Sequence, residues 1–142
     1  HERRAMEVAV LEPYAVEAVK AIRDLGLATA VWTNNDRVAA HFVLDRYGLR
    51  EHFDLVVTRD EMARLKPNPD GLRVVRERWP EAAHVVVVGD SWVDGAAAQA
   101  AGVPFIAYRG EGARGAYDEI VRRGIAVRAE IFSLLDLPVA LG

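Results

Sequence analysis

HVVVVGDSWVD, residues 84–94, joins the most apolar strand candidate of the chain to a polar turn that opens a helix. Four consecutive valines predict a strand that is buried on both faces, as strands of parallel sheets are. Gly89 permits a sharp turn at the end of this strand. The alanine-rich run from Trp92 to Ala101 then predicts a helix that ends at Gly102. A buried strand that leads directly into a helix indicates an α/β protein.

Outward from this stretch, predicted strands and helices alternate along the whole chain. Further strands are predicted at 27–32, 53–58, 103–108 and, more weakly, 125–127, and helices at 13–26, 37–47, 69–79 and 116–123. Such alternation implies right-handed crossovers and a parallel sheet with helices on both faces. The predicted fold is therefore α/β, a Rossmann-like three-layer sandwich with a mainly parallel sheet. In such sheets ligands bind beyond the carboxyl ends of the strands.

Composition excludes several classes of protein. The chain has 142 residues, 51% of them hydrophobic, which suits one packed domain rather than disorder. A net charge of −3 gives no basic surface of the kind that nucleic-acid binding needs. The sequence has no 18-residue apolar run that could span a membrane, and no apolar stretch near residue 1 typical of a secretory signal. The absence of cysteine suits a reducing compartment, so we expect a cytoplasmic protein.

Polar side chains follow the predicted strand at 27–32. Thr33, Asn34, Asn35 and Asp36 lead directly into the next predicted helix. A hydroxyl beside the backbone amides of a helix N-terminus is a good seat for a phosphate group. An ordinary helix N-cap, with Asp36 as the expected capping residue, explains the same residues and is the better interpretation of this segment taken alone.

A lysine followed by two prolines forms a second polar site. Lys66 precedes Pro67, and Pro69 follows two residues later, which restricts the backbone around the lysine. The ammonium group could stabilise a phosphoryl oxygen or neutralise clustered carboxylates. A solvated lysine in the loop before a helix is the alternative.

Two carboxylates follow the valine strand. Asp90 and Asp94 stand four residues apart at the start of the predicted helix, so both lie on one side of its first turn. Paired carboxylates at a strand end make an oxygen site suited to Mg²⁺, which takes few protein ligands and keeps several waters. Simple capping of the helix by Asp90 and Ser91 is the alternative, but this pair is the strongest functional signal in the sequence.

The order and spacing of these segments resemble the haloacid dehalogenase-like hydrolases, in particular the branch that contains phosphoglycolate phosphatase. The resemblance extends from about Leu11 to Tyr108. Its elements are Leu11-Glu12-Pro13, Thr33-Asn34, Tyr47-Gly48-Leu49, Phe53-Asp54, Lys66-Pro67-Asn68-Pro69-Asp70, Gly89-Asp90-Ser91 with Asp94, and Ala100-Ala101-Gly102-Val103. No single element is decisive, but the ordered set is specific.

The resemblance implies roles for five residues. Thr33 would bind the substrate phosphoryl group through its hydroxyl, together with the following amide at Asn34. Lys66 would stabilise the charge of the nucleophile and of the transferring phosphoryl group. Asp90 would ligate Mg²⁺, and Asp94 would support the metal or orient the lysine. Trp32, Arg109 and Arg114 could line the mouth of the site, but core or surface positions are the better prediction for all three.

The family's nucleophile motif, an Asp-x-Asp pair on the central strand, is absent from this sequence. The resemblance implies that residues 1–10 are the end of a cap-domain helix or a linker, and that 11–142 form a partial core domain. It also implies that the nucleophile strand and most of the cap lie upstream of residue 1. The resemblance puts that strand between the one that ends at Thr33 and the one that ends at Asp90. Without it, two strand edges of the sheet would be exposed, which raises the expectation of a homodimer or strand exchange.

The expected function is Mg²⁺-dependent hydrolysis of a small phosphorylated metabolite through an aspartyl-phosphate intermediate in the full-length protein. The chain alone is expected to be inactive. Two alternatives stay open at this point: a non-catalytic binding or assembly subunit with the same fold, and a phosphosugar mutase of the same superfamily.

Overall fold

The structure is a computed structural model that describes residues 14–110 and 115–141 in full and residues 4–7 as backbone. The strands are β1 (Arg4–Glu7), β2 (Ala30–Trp32), β3 (Leu55–Val57), β4 (His84–Gly89), β5 (Phe105–Tyr108) and β6 (Ala129–Ile131). The helices are α1 (Ala15–Asp24), α2 (Arg37–Arg46), α3 (Asp70–Arg78), α4 (Trp92–Ala100), α5 (Ala116–Arg122) and α6 (Leu137–Leu141). Within these described ranges no helix is long and apolar enough to cross a membrane.

All strand pairs in the described residues are parallel. One sheet has the order β1-β4-β5-β6, and β2 pairs with β3 in a second sheet. The two sheets adjoin where β1 lies against β2. Parallel strands joined by helices confirm the α/β prediction, and the carboxyl ends of β2 and β4 consequently face the same edge.

Alternate residues of the strands face two different hydrophobic cores, as the two-residue period of a strand requires. Val86 and Val88 of β4 pack in the core that contains α1 and α6, whereas Val87 packs in the core that contains α3 and α4. Ile106 and Phe105 of β5 divide between the same two cores. A strand that is apolar on both faces therefore produces a sheet with helices on both sides.

The N-terminal segment corrects one prediction. We expected residues 1–10 to form a helix or a linker, but Arg4–Glu7 is a strand that pairs with His84–Val87 of β4. The edge of β4 presents backbone N–H and C=O groups that need partners, and this segment supplies them. It thereby occupies the place between β2 and β4 that we expected to be empty. Residues 1–3 and 8–10, and the Leu11-Glu12-Pro13 element, lie outside the described residues, and the assignment of domains stays a prediction.

The C-terminal region also differs from expectation. The short strand predicted at 125–127 is absent, and β6 forms at Ala129–Ile131 instead. The Arg128 amide donates to the Phe105 carbonyl at 2.8 Å, and the Arg109 amide donates to the Ile131 carbonyl at 2.7 Å, which fixes this later register. Helix α6, with Leu137 and Leu141 buried, was not predicted.

Candidate active site

Lys66 is buried at the carboxyl ends of β2 and β4. Its Nζ donates to the Trp32 carbonyl at 2.7 Å and to Asp94 Oδ1 at 2.6 Å. The side chains of Lys66 and Asp94 are only 6% and 9% exposed. A buried ion pair of this kind needs further hydrogen bonds to offset desolvation, and the Trp32 carbonyl supplies one. The Lys66–Pro67 peptide bond is cis.

Asp94 uses both carboxylate oxygens within the protein. Oδ1 accepts from Lys66, while Oδ2 accepts from the Ser91 hydroxyl at 3.0 Å and from the Ser91 amide at 3.3 Å. Ser91 and Asp94 thus form a capping box at the start of α4. Of the two roles implied for Asp94 by the sequence, this arrangement fits the orientation of the lysine rather than the ligation of a metal. Its role in catalysis stays a prediction.

Asn34 contacts Lys66 through the backbone of the lysine. The Asn34 Oδ1 accepts from the Lys66 amide at 2.9 Å, and the Asn34 Nδ2 donates to the Lys66 carbonyl at 3.1 Å. Asparagine has an adjacent donor and acceptor, so one side chain satisfies both groups of the same residue. These hydrogen bonds place the loop after β2 directly against the lysine loop, 32 residues away in the chain.

Thr33 lies in the chain between Trp32 and Asn34, which both contact Lys66. Its backbone amide donates to the Val57 carbonyl at 2.9 Å, which extends the pairing of β2 with β3. Its Oγ1 accepts from the Asn35 amide at 3.1 Å. A hydroxyl that accepts in this way still has its own hydrogen to donate. Thr33 is half-buried.

A turn after β3 supports the Thr33 loop. The Arg59 amide donates to the Asn35 carbonyl at 2.9 Å. In the same turn Glu61 accepts from the Thr58 amide and hydroxyl and pairs with Arg37 at 2.5 Å. Partial burial acts to raise the pKa of the Glu61 carboxyl, but the hydrogen bonds from Thr58 and the ion pair with Arg37 outweigh it and hold the pKa below its ordinary value.

Asp90 follows the last residue of β4 and is half-buried. Its neighbours Gly89 and Ser91 both adjoin the Asp94 carboxylate. Within the described ranges, no group of three or more histidine, aspartate or glutamate side chains is placed to hold a metal ion. Asp94 accepts from Lys66 and Ser91, and Asp90 stays the predicted ligand of Mg²⁺, an ion that one or two carboxylates hold together with water and phosphate oxygens.

Trp32 has a part in this site that its sequence position did not indicate. Its ring centroid lies 5.2 Å from Lys66 Nζ, and its indole nitrogen donates to the Met62 sulfur at 3.1 Å. The indole also packs against the backbone of Gly71, where a Cβ atom would overlap it. The glycine that follows Asp70 is the one sequence signal that could have revealed this close approach. Of the two arginines considered for the mouth, Arg109 pairs with Glu130 at 2.6 Å, and Arg114 lies outside the described residues.

We expect Gly71→Ala to lower the free energy of unfolding by about 1–3 kcal/mol, because the new methyl group must displace the buried Trp32 indole. Urea unfolding followed by circular dichroism measures this change. The double variant Trp32→Phe/Gly71→Ala is the control, since the smaller ring lacks the indole nitrogen, which is the atom nearest to the new methyl group. A cost of the alanine that is the same in both backgrounds would show that Trp32 is not its cause.

Comparison with known proteins gives the following similarities. The family model described as haloacid dehalogenase-like hydrolase matches residues 2–102. A phosphoglycolate phosphatase of Rhodobacter capsulatus is 34% identical over 69% of this chain and 44% of its own length. Another, from Cupriavidus necator, is 42% identical over 63% of this chain and 39% of its own length. The chain therefore spans about two fifths of the length of these curated relatives.

Solved structures give similar results. A haloacid dehalogenase-superfamily hydrolase of Geobacter sulfurreducens has a TM-score of 0.75 at 26% identity, covering 92% of this chain and 56% of the other. A haloacid dehalogenase phosphatase of Thermococcus onnurineus has a TM-score of 0.76 at 28% identity, covering 92% and 57%. A putative β-phosphoglucomutase of Thermotoga maritima has a TM-score of 0.76 at 25% identity, covering 92% and 59%.

Proposed function

This chain belongs to the haloacid dehalogenase-like hydrolase family, and on that premise we propose that the whole protein hydrolyses a small phosphomonoester with the help of Mg²⁺. The observation that carries this proposal is the buried Lys66–Asp94 pair beside Thr33. Phosphoryl transfer depends mainly on positioning and on stabilising the charge of the transferring group. A lysine held by fixed acceptors at the carboxyl ends of the strands meets that need.

Each residue of the site has a distinct task in this proposal. The Lys66 ammonium offsets the negative charge that develops on the phosphoryl oxygens. The Thr33 hydroxyl and the Asn34 backbone amide donate hydrogen bonds that orient the phosphoryl group. Asp94 keeps the ammonium in place and balances its charge in the buried site.

Asp90 is the residue that would hold Mg²⁺. When bound, Mg²⁺ would neutralise charge on phosphoryl oxygens, which side chains alone do less completely. Carboxylate oxygen is the donor that Mg²⁺ prefers. Asp90 directly follows β4 and directly precedes Ser91, whose hydroxyl donates to Asp94. Asp90 is therefore close to the Lys66–Asp94 pair.

The nucleophile of the proposed reaction is an aspartate that the 142-residue sequence does not contain. Its carboxylate oxygen would attack phosphorus and displace the ester oxygen, which a second acidic group would protonate, and water would then release phosphate from the aspartyl-phosphate. We propose that an upstream segment, or another chain by strand exchange, supplies this aspartate. Because β1 lies between β4 and β2, an aspartate-bearing strand at that place must displace Arg4–Glu7.

A two-carbon phosphomonoester is the proposed substrate class, with phosphoglycolate as the first compound to test. The support comes from the curated relatives, which carry that activity in their names and are 34% and 42% identical to this chain. A phosphosugar mutase is a second candidate, favoured by the likeness to the putative β-phosphoglucomutase. Conversion of one hexose phosphate isomer to another without release of phosphate distinguishes the mutase.

The test compares the 142-residue chain with a longer protein that includes its upstream coding sequence. We expect no phosphate release from phosphoglycolate by the 142-residue chain, and Mg²⁺-dependent release by the longer protein, because only the latter is expected to contain the nucleophile. A colorimetric phosphate assay with and without EDTA measures both. Failure of the longer protein on a panel of phosphomonoesters, with intact folding, would favour the non-catalytic binding or assembly subunit.

A further inference from the structure

The end of β2 holds Lys66 at both ends of its side chain. The Trp32 carbonyl oxygen accepts a hydrogen bond from the Lys66 ammonium at 2.7 Å. Two residues later, the Asn34 side chain binds both the amide and the carbonyl of the Lys66 backbone, at 2.9 Å and 3.1 Å. The intervening residue is Thr33. The tripeptide 32–34 therefore sets the position of Lys66 relative to Thr33.

This arrangement matters because lysine is a compact charge on a flexible four-carbon stem. An ammonium held only by Asp94 could follow that carboxylate while its own backbone moved. With the Lys66 peptide fixed by Asn34, the stem must start from one point and end between Trp32 and Asp94. Alanine at position 34 would have no donor or acceptor. The serine hydroxyl carries both functions on a single atom of a shorter side chain, whereas the amide carries them on two adjacent atoms.

We propose that Asn34 is a positioning residue for Lys66, and that its side-chain amide fixes the lysine peptide so that the ammonium group stays between Trp32 and Asp94. This assigns to the Asn34 side chain a task other than phosphate binding, which is left to its backbone amide. The importance of the contact for catalysis rests on the proposed function, but the contact itself can be tested without any turnover.

The lysine content of the chain provides a direct probe. The sequence contains only two lysines, Lys20 and Lys66. Lys20 is exposed on α1, whereas the side chain of Lys66 is 6% exposed. In protein labelled with ¹⁵N-lysine, NMR should show one ammonium group that exchanges its protons rapidly with water and one that exchanges slowly. The Lys20 signal is an internal reference in every variant.

We expect Asn34→Ala to accelerate proton exchange at the Lys66 ammonium by about tenfold, with Lys20 unchanged, because two hydrogen bonds that fix the lysine backbone are lost. Asn34→Asp keeps the acceptor for the Lys66 amide and loses the donor to its carbonyl, so an intermediate acceleration is expected. Asn35→Ala is the matched control, since the neighbouring Asn35 is exposed and its backbone groups make the hydrogen bonds described above. It should leave both lysine signals as they are.

Urea unfolding of each variant separates a local effect from a global loss of structure, and Asn34→Asp provides the same comparison if Asn34→Ala does not fold. Exchange at Lys66 that is unchanged in both Asn34 variants, while Asp94→Asn accelerates it, would overturn the positioning role and leave the proposed function intact. Unchanged exchange in Asp94→Asn as well would instead show that the buried Lys66–Asp94 pair does not form in solution, and the proposed function depends on that pair.

Discussion

Asp94→Ala is expected to lower the free energy of unfolding by about 3–5 kcal/mol, because it removes a carboxylate that pairs with the buried Lys66 ammonium. The two side chains are 6% and 9% exposed, so water cannot replace the missing carboxylate without local opening. The same change removes the acceptor for the Ser91 hydroxyl and amide at the start of α4. Urea unfolding of the 142-residue chain at neutral pH, followed by tryptophan fluorescence, measures the loss.

A double-mutant cycle isolates the ion pair from the helix cap. Lys66→Met removes the charge and retains much of the apolar stem, and it should also be destabilising because it leaves Asp94 unpaired. The double variant Lys66→Met/Asp94→Ala contains neither buried charge, so its cost should be smaller than the sum of the two single costs by about 0.5–3 kcal/mol. Additive costs would show that the two side chains do not interact in solution.

The parts of the fold that the sequence predicted well are those set by local pattern. The valine run of β4 indicated a strand buried on both faces, and Val86 and Val87 do pack in different cores. Asp36 was expected to cap α2, and its carboxylate accepts the Ala39 amide at 2.7 Å. Strand β1 was not predictable in this way, because its pairing with β4 depends on an edge formed by residues about 80 positions later.

For the site, residue types and order predicted which segments matter but not how they contact one another. Lys66 and Asp94 were both predicted to be site residues, but orientation of the lysine by Asp94 was only one of the two roles expected for that aspartate. The hydrogen bonds from Asn34 to the lysine backbone span 32 residues and have no periodic or compositional signal. The contact of the Trp32 carbonyl with Lys66 could not be predicted from residue types either, since every residue has a carbonyl group.

Lys66→Met in the longer, active protein is expected to lower kcat by about 10²–10³-fold, because a fixed positive charge that stabilises the transferring phosphoryl group is lost. The proposed role acts mainly in the transition state, so KM should change much less than kcat. Initial-rate kinetics with phosphoglycolate, or with the best substrate of the panel, gives both constants. Circular dichroism and urea unfolding establish that the compared proteins are folded.

Two further variants make the comparison specific to the ammonium group. Lys20→Met makes the same chemical change on the exposed face of α1 and should leave both constants unchanged. Lys66→Arg keeps the positive charge, but a planar guanidinium does not match the space between the Trp32 carbonyl and Asp94 Oδ1, where the ammonium makes contacts of 2.7 Å and 2.6 Å. It should therefore also lose most of kcat. Full activity of Lys66→Met in a folded protein would refute a direct role of this lysine in phosphoryl transfer.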